Sequence, residues 1–168
     1  MRWCRFGRGL VALALGLGLL GWAPAEQPPV TCTASTLSVT LGPGEGAAGT
    51  TYAPLRFTNT GARACVTQGF PGVSYLTEDG GAQIGRAALR EGAPGGTVTL
   101  APGAVASAAL AMVRVENYDP VVCRPTPVRG LRVYPPGQRV SVFVPYDATV
   151  CAGNLPSQQL RIATIKAA

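Results

Sequence analysis

Few residues in this sequence have the chemistry of a reactive group. There is no histidine and only one lysine, Lys166, close to the C-terminus. The usual general base of a serine or cysteine hydrolase is therefore missing. A Ser–Lys dyad would have to be built on a side chain near the end of the chain. Carboxylates could serve a glycosidase, which sets two acids about 5–10 Å apart. Glu116, Asp119 and Asp147 are the candidates, but they lie in or beside loops and nothing in their spacing brings them together. The same acids lack the regular oxygen-ligand spacing of a calcium loop. Gly44-Glu45-Gly46-Ala47-Ala48-Gly49 matches G-x-G-x-x-G in form. A dinucleotide loop must run into a helix N-terminus, whereas Thr50-Thr51-Tyr52 continues as a strand. We expect no enzyme activity, no metal and no cofactor.

The cysteines are more informative. Residues 1–25 have the form of a signal peptide. Arg2, Arg5 and Arg8 precede the apolar run Leu10–Leu20, and Ala23-Pro24-Ala25 supplies a small-x-small cleavage site before Glu26. The apolar run is short for a membrane span, which needs about 20 residues, and no later segment matches it. Cleavage after residue 25 of 168 leaves 143 residues, the size of one domain. That part keeps eleven basic and eight acidic residues, a net charge of +3. So mild and dispersed a charge makes no case for nucleic acid. It also keeps Cys32, Cys65, Cys123 and Cys151. An even count in an exported chain argues for two disulfides. Three pairings are possible and spacing alone does not choose. Cys32–Cys65 with Cys123–Cys151 is favoured because each closes a loop of about thirty residues, contributing about 3–4 kcal/mol. A zinc site is the rival, without C-x-x-C or histidine to support it.

The elements that position these residues read as strands. Residues 26–31 form a Pro-rich, mobile lead-in, and 32–168 a single domain. Thr36–Leu41 alternates with Leu37, Val39 and Leu41 on one face, and Thr51–Thr58 with Leu55 and Phe57 inward. Asn59-Thr60-Gly61 ends that strand in a tight turn. Short strands at Cys65–Thr67 and Val73–Thr77 flank the Gly69–Gly72 turn. Glu78-Asp79-Gly80-Gly81 is a hairpin returning through Gln83 and Ile84. Ala87–Gly95 is either a helical turn or a loop. Thr97–Leu100 and a long, doubly apolar Ala104–Val115 follow, then a loop over Asn117–Pro127. Leu131–Tyr134 and Arg139–Val144 are joined through Pro135-Pro136-Gly137, Cys151 sits in a loop, and Gln159–Ile165 closes the chain. About nine short strands with frequent turns predict an all-β, immunoglobulin-like antiparallel β-sandwich.

The stretch N-T-G with Cys65, G-F-P-G-V-S-Y-L, Ile84-Gly85, T-L-A-P-G at 99–103 and Y-P-P-G at 134–137 resembles domain-of-unknown-function family 4232. With the last cysteine and closing strand, the resemblance spans about residues 32–165. It implies a β-sandwich of secreted proteins and lipoproteins of high-GC Gram-positive bacteria, at or beyond the cell envelope. Its motifs are turns and cysteines, so no catalytic residues are implied. Many relatives are lipid-anchored; here Cys4 and Cys32 stand outside a lipobox, which predicts release or wall association instead.

One pattern points to recognition. In the last three strands Leu131/Val133, Val140/Val142/Val144 and Leu160/Ile162 make one face. The other carries Arg132, Tyr134, Arg139, Phe143, Arg161 and Ile165. If these strands share a sheet, they mix guanidinium and aromatic groups, as hot spots do. The alternative is a solvated sheet whose arginine stems cover apolar neighbours. The expected function is a non-catalytic module binding an anionic envelope polymer or an extracellular protein. A second expectation is a protease inhibitor presenting the Glu116–Cys123 loop under a disulfide.

Overall fold

The computed structural model describes residue 28 and residues 30–168. The expected signal peptide and the start of the lead-in lie outside the described residues. The strands are β1 (Val30–Thr31), β2 (Leu37–Leu41), β3 (Glu45–Ala47), β4 (Thr50–Asn59), β5 (Cys65–Thr67), β6 (Gly72–Leu76) and β7 (Gln83–Ile84). They continue with β8 (Leu89–Glu91), β9 (Val98–Leu100), β10 (Val105–Val113), β11 (Pro125–Tyr134), β12 (Val142–Cys151), β13 (Leu160–Ala163) and β14 (Lys166–Ala167). A 3-10 turn (Val115–Asn117) and the one-turn helix α1 (Pro120–Cys123) separate β10 from β11.

The strands form two facing sheets. One runs β2-β4-β10-β13-β8, with β3 on β4 and β14 on β10; the other runs β12-β11-β6-β7. A small β1-β5-β9 sheet lies beside them. Period-two alternation explains the layers. Leu55 and Phe57 on β4, Leu110 and Met112 on β10, and Ile162 on β13 are buried from one side. Val73 and Tyr75 on β6, Leu131 and Val133 on β11, and Val144 on β12 close the same core from the other. The result is the expected all-β sandwich of immunoglobulin-like architecture.

Several expectations are corrected. There are fourteen strands among the described residues, not about nine, because loops read as irregular contain short edge pairings. The G-x-G-x-x-G segment is the β3–β4 hairpin, turned by Ala48 and Gly49, both at positive φ. Residues 87–95 are neither helix nor plain loop: β8 runs parallel to β13. The lead-in ends in β1, which pairs in parallel with β5. The 117–127 loop contains α1, started by Asp119, whose Oδ1 accepts from Val121 N at 2.8 Å and Val122 N at 3.2 Å, with Pro120 in the first turn.

The largest revision concerns β11 and β12. The turn after Tyr134, with Gly137 at φ 72°, extends to Ser141, so β12 starts at Val142. Val140, expected inward, is exposed. β12 then runs on to Cys151 because its partner is the Pro125–Val128 part of β11. Pro125 and Pro127 are tolerated there because β6 pairs only with Gly130–Tyr134, leaving that edge of β11 without a neighbour. β12 is one of the two edge strands of its sheet, with Pro145 and Asp147 in its length.

Both expected disulfides form. Cys32–Cys65 ties the segment after β1 to β5, and Cys123–Cys151 ties α1 to the end of β12. Buried Asn59 anchors the turn after β4. Its Nδ2 donates to Arg63 O at 2.8 Å and Leu100 O at 2.9 Å, and its Oδ1 accepts from Gly61 N at 2.9 Å.

Candidate functional site

The expected recognition face divides in two. Arg132, Tyr134 and Phe143 come together on the outer surface of the β12-β11-β6-β7 sheet. Arg161 does not join them: β13 belongs to the opposite sheet, where Arg161 Nη1 meets Glu91 Oε1 at 3.3 Å. Arg139 lies in the turn before β12, off the sheet. Ile165 is buried in the core rather than displayed.

Local sequence explains the cluster that remains. Arg132 pairs across β11–β12 with Phe143 and across β11–β6 with Ser74. Tyr134 is two residues along β11, hence on the same face. Glycines let the rings lie down. A Cβ at Gly130 would come within 3.0 Å of the Phe143 ring, so that ring rests on bare backbone. A Cβ at Gly72 would touch the Tyr134 ring at 3.4 Å. The Arg132 guanidinium carbon sits 5.8 Å from the Tyr134 ring centroid, within cation–π range. Its Nη2 donates to Gln83 Oε1 on β7. Its Nε is enclosed yet has no acceptor among the described residues. Leu76, Asp79 and Ser141 complete a groove beside these groups.

The groove can bind through a cation backed by two aromatic surfaces. Gln83 and Asp79 were legible only as hairpin residues, and Gly130 carried no signal without its cross-strand partner.

The expected carboxylates sit on three separate elements. Asp119 caps α1, Asp147 pairs with Arg129 at 3.1 Å on the surface, and Glu116 lies in the 3-10 turn. Among the described residues no three His, Cys, Asp or Glu side chains form a metal-sized group. The Glu116–Cys123 segment is a 3-10 turn followed by a helical turn. Its last residue, Cys123, is tied to Cys151 by the disulfide.

Fold and groove define an all-β sandwich cross-linked by two disulfides, a combination suited to an oxidising compartment. Among the described residues no helix is long and apolar enough to cross a membrane. The chain belongs to the family described as "Domain of unknown function (DUF4232)", whose model matches residues 32–166. No curated protein and no solved structure matches the chain significantly.

Proposed function

We propose that this protein is an exported, non-catalytic binding module that holds an anionic polymer of the cell envelope in the Arg132–Tyr134–Phe143 groove. The observation that carries the reading is the state of Arg132. Its guanidinium is held between Gln83 and the Tyr134 ring with no acid paired to it among the described residues; Arg161, whose Nε likewise has no acceptor there, differs in being paired with Glu91. The Arg132 side chain also lines the open groove, where an anionic oxygen of a ligand would meet the outer N–H groups of the guanidinium. Arginine oriented in this way favours phosphate and carboxylate recognition. Export fits the leader-like residues 1–25 and the two disulfides. The absence of catalysis fits a chain without histidine whose four cysteines outside the leader are all oxidised.

The test is co-sedimentation with purified cell walls. Arg132→Gln should reduce retention at least tenfold at low salt, and Tyr134→Ser should weaken it as well. Arg161→Gln removes the same charge from the other sheet and should leave retention unchanged. Equal behaviour of Arg132→Gln and Arg161→Gln would overturn the proposal, because net charge and not the groove would then be responsible.

A further inference from the structure

Independently of that groove, we infer that the open end of the sandwich is a binding site for a small, uncharged aromatic molecule carrying a hydrogen-bond acceptor, with Tyr75 as its central contact. Tyr75 projects inward from β6, and only 3% of its surface is exposed. Among the described residues, Tyr118 is the tyrosine whose hydroxyl has a partner, Ser157 at 3.5 Å. The Tyr75 hydroxyl has no protein partner among the described residues, and Tyr75 borders two spaces at this end of the fold. A phenol set in so apolar a wall keeps one donor for whatever enters, water or a ligand acceptor.

Tyr75 faces two spaces. One, toward Ile84 and Leu155, is about 10 Å³, room for a single water. The other is an open cavity of about 360 Å³ between the sheets, large enough for a small ligand. Tyr146, Met112 and Val150 wall it. The Tyr146 ring lies 6.4 Å from that of Tyr75, with 19° between their planes, so a third flat ring finds an aromatic wall. Gln159 fixes the shape. Its Nε2 donates to Val113 O at 3.0 Å on one sheet, and its Oε1 accepts from Cys151 N at 3.0 Å on the other. The cavity is therefore braced before any ligand arrives, which lowers the cost of binding.

Charge decides the ligand class. The inner wall carries no ionised group: the Tyr75 and Tyr146 phenols are neutral at ordinary pH, and burial only moves their ionisation further up. Ionised groups appear only at the mouth, as one of each sign, Arg114 and Glu116. A charge carried past them to the tyrosine wall would lose hydration there while Arg114 and Glu116 stay at the exposed rim. A hydrocarbon would leave the Tyr75 hydroxyl unpaired. A neutral ring with a carbonyl meets both conditions.

Benzamide is the probe, titrated into the full chain and followed by NMR. The Tyr75 and Tyr146 ring signals and the Met112 methyl should shift together and saturate. Benzoate, the same ring with a charge, should bind at least tenfold more weakly. Tyr75→Phe should lose about three- to tenfold in affinity, as for one neutral hydrogen bond, while Tyr52→Phe should change nothing. The inference is overturned if these signals stay still up to the solubility limit of benzamide, or if benzoate binds as tightly. Equal affinity in a folded Tyr75→Phe variant would overturn it too. Should that variant fail to fold, the benzamide-to-benzoate ratio on the unaltered chain decides alone.

Discussion

Asn59 gives the sharpest test of how this sandwich is held together. Its side chain is buried and makes three hydrogen bonds, two donated by Nδ2 to Arg63 O and Leu100 O and one accepted by Oδ1 from Gly61 N. Its own N–H and C=O bond to Ala104 and Gly103. Asn59→Ala removes only the side-chain bonds. Arg63 and Gly61 lie near water and can be rehydrated, but Leu100 is buried. Its carbonyl would keep most of an unpaired-group penalty of about 1–3 kcal/mol, and the three bonds together amount to about 2–4 kcal/mol. For a domain of this size that is a fall in Tm of about 8–16 °C. Asn59→Asp should be worse at neutral pH. It keeps the acceptor for Gly61 but turns an oxygen toward two carbonyl oxygens. Both burial and those oxygens disfavour the carboxylate, so the folded-state pKa of the new acid lies above its unfolded value of about 3.9. The penalty is therefore present above the folded-state pKa and is relieved as pH falls through it, so the Asp and Ala variants converge in acid. Urea unfolding followed by circular dichroism at several pH values reads this directly. A loss below about 1 kcal/mol for Asn59→Ala, or a pH-independent gap between the two variants, would refute the account.

Two further outcomes follow from the packing. Gly130→Ala puts a Cβ into the Phe143 ring and 2.8 Å from Val144 O; it should cost about 1–3 kcal/mol, partly recovered by adding Phe143→Ala. Strict additivity in a urea double-mutant cycle would show that the ring does not lie on the glycine. On alkaline titration, Tyr75 and Tyr146 should stay protonated past pH 10.0, because burial raises both pKa values above that. The unfolded chain then releases protons that the fold retains, so stability falls as pH rises past about 10. Ionisation of Tyr75 and Tyr146 should appear together with unfolding, and their ionisation near pH 10 in a protein that stays folded would contradict the burial.

Much of this architecture was legible in the residues because alternation states which side of its own strand each residue takes. Leu37 and Val39, or Leu55 and Phe57, turned inward as that rule requires. The same rule set Arg132, Tyr134 and Phe143 on one surface, since β11 and β12 are joined by a local turn. It failed for Arg161, because alternation does not reveal which sheet a strand joins, and β13 pairs with β10 rather than with β12. It failed for Arg139 and Val140 because the Pro-Pro-Gly turn is longer than its motif. Pro125 and Pro127 hid the first half of β11, and with it the partner that carries β12 to Cys151. The tyrosine cavity had no linear signature: Tyr75, Met112, Tyr146 and Gln159 come from four strands or their flanks.

The rim formed by β12 has a consequence for how copies of this protein coexist. An open strand of ten residues would ordinarily offer a neighbouring chain a row of backbone groups to zip onto. Here Pro145 interrupts that row by lacking an N–H, and Asp147 with Arg129 sets charge beside it. A neighbouring copy that approaches this rim therefore meets a broken and charged row in place of a continuous template.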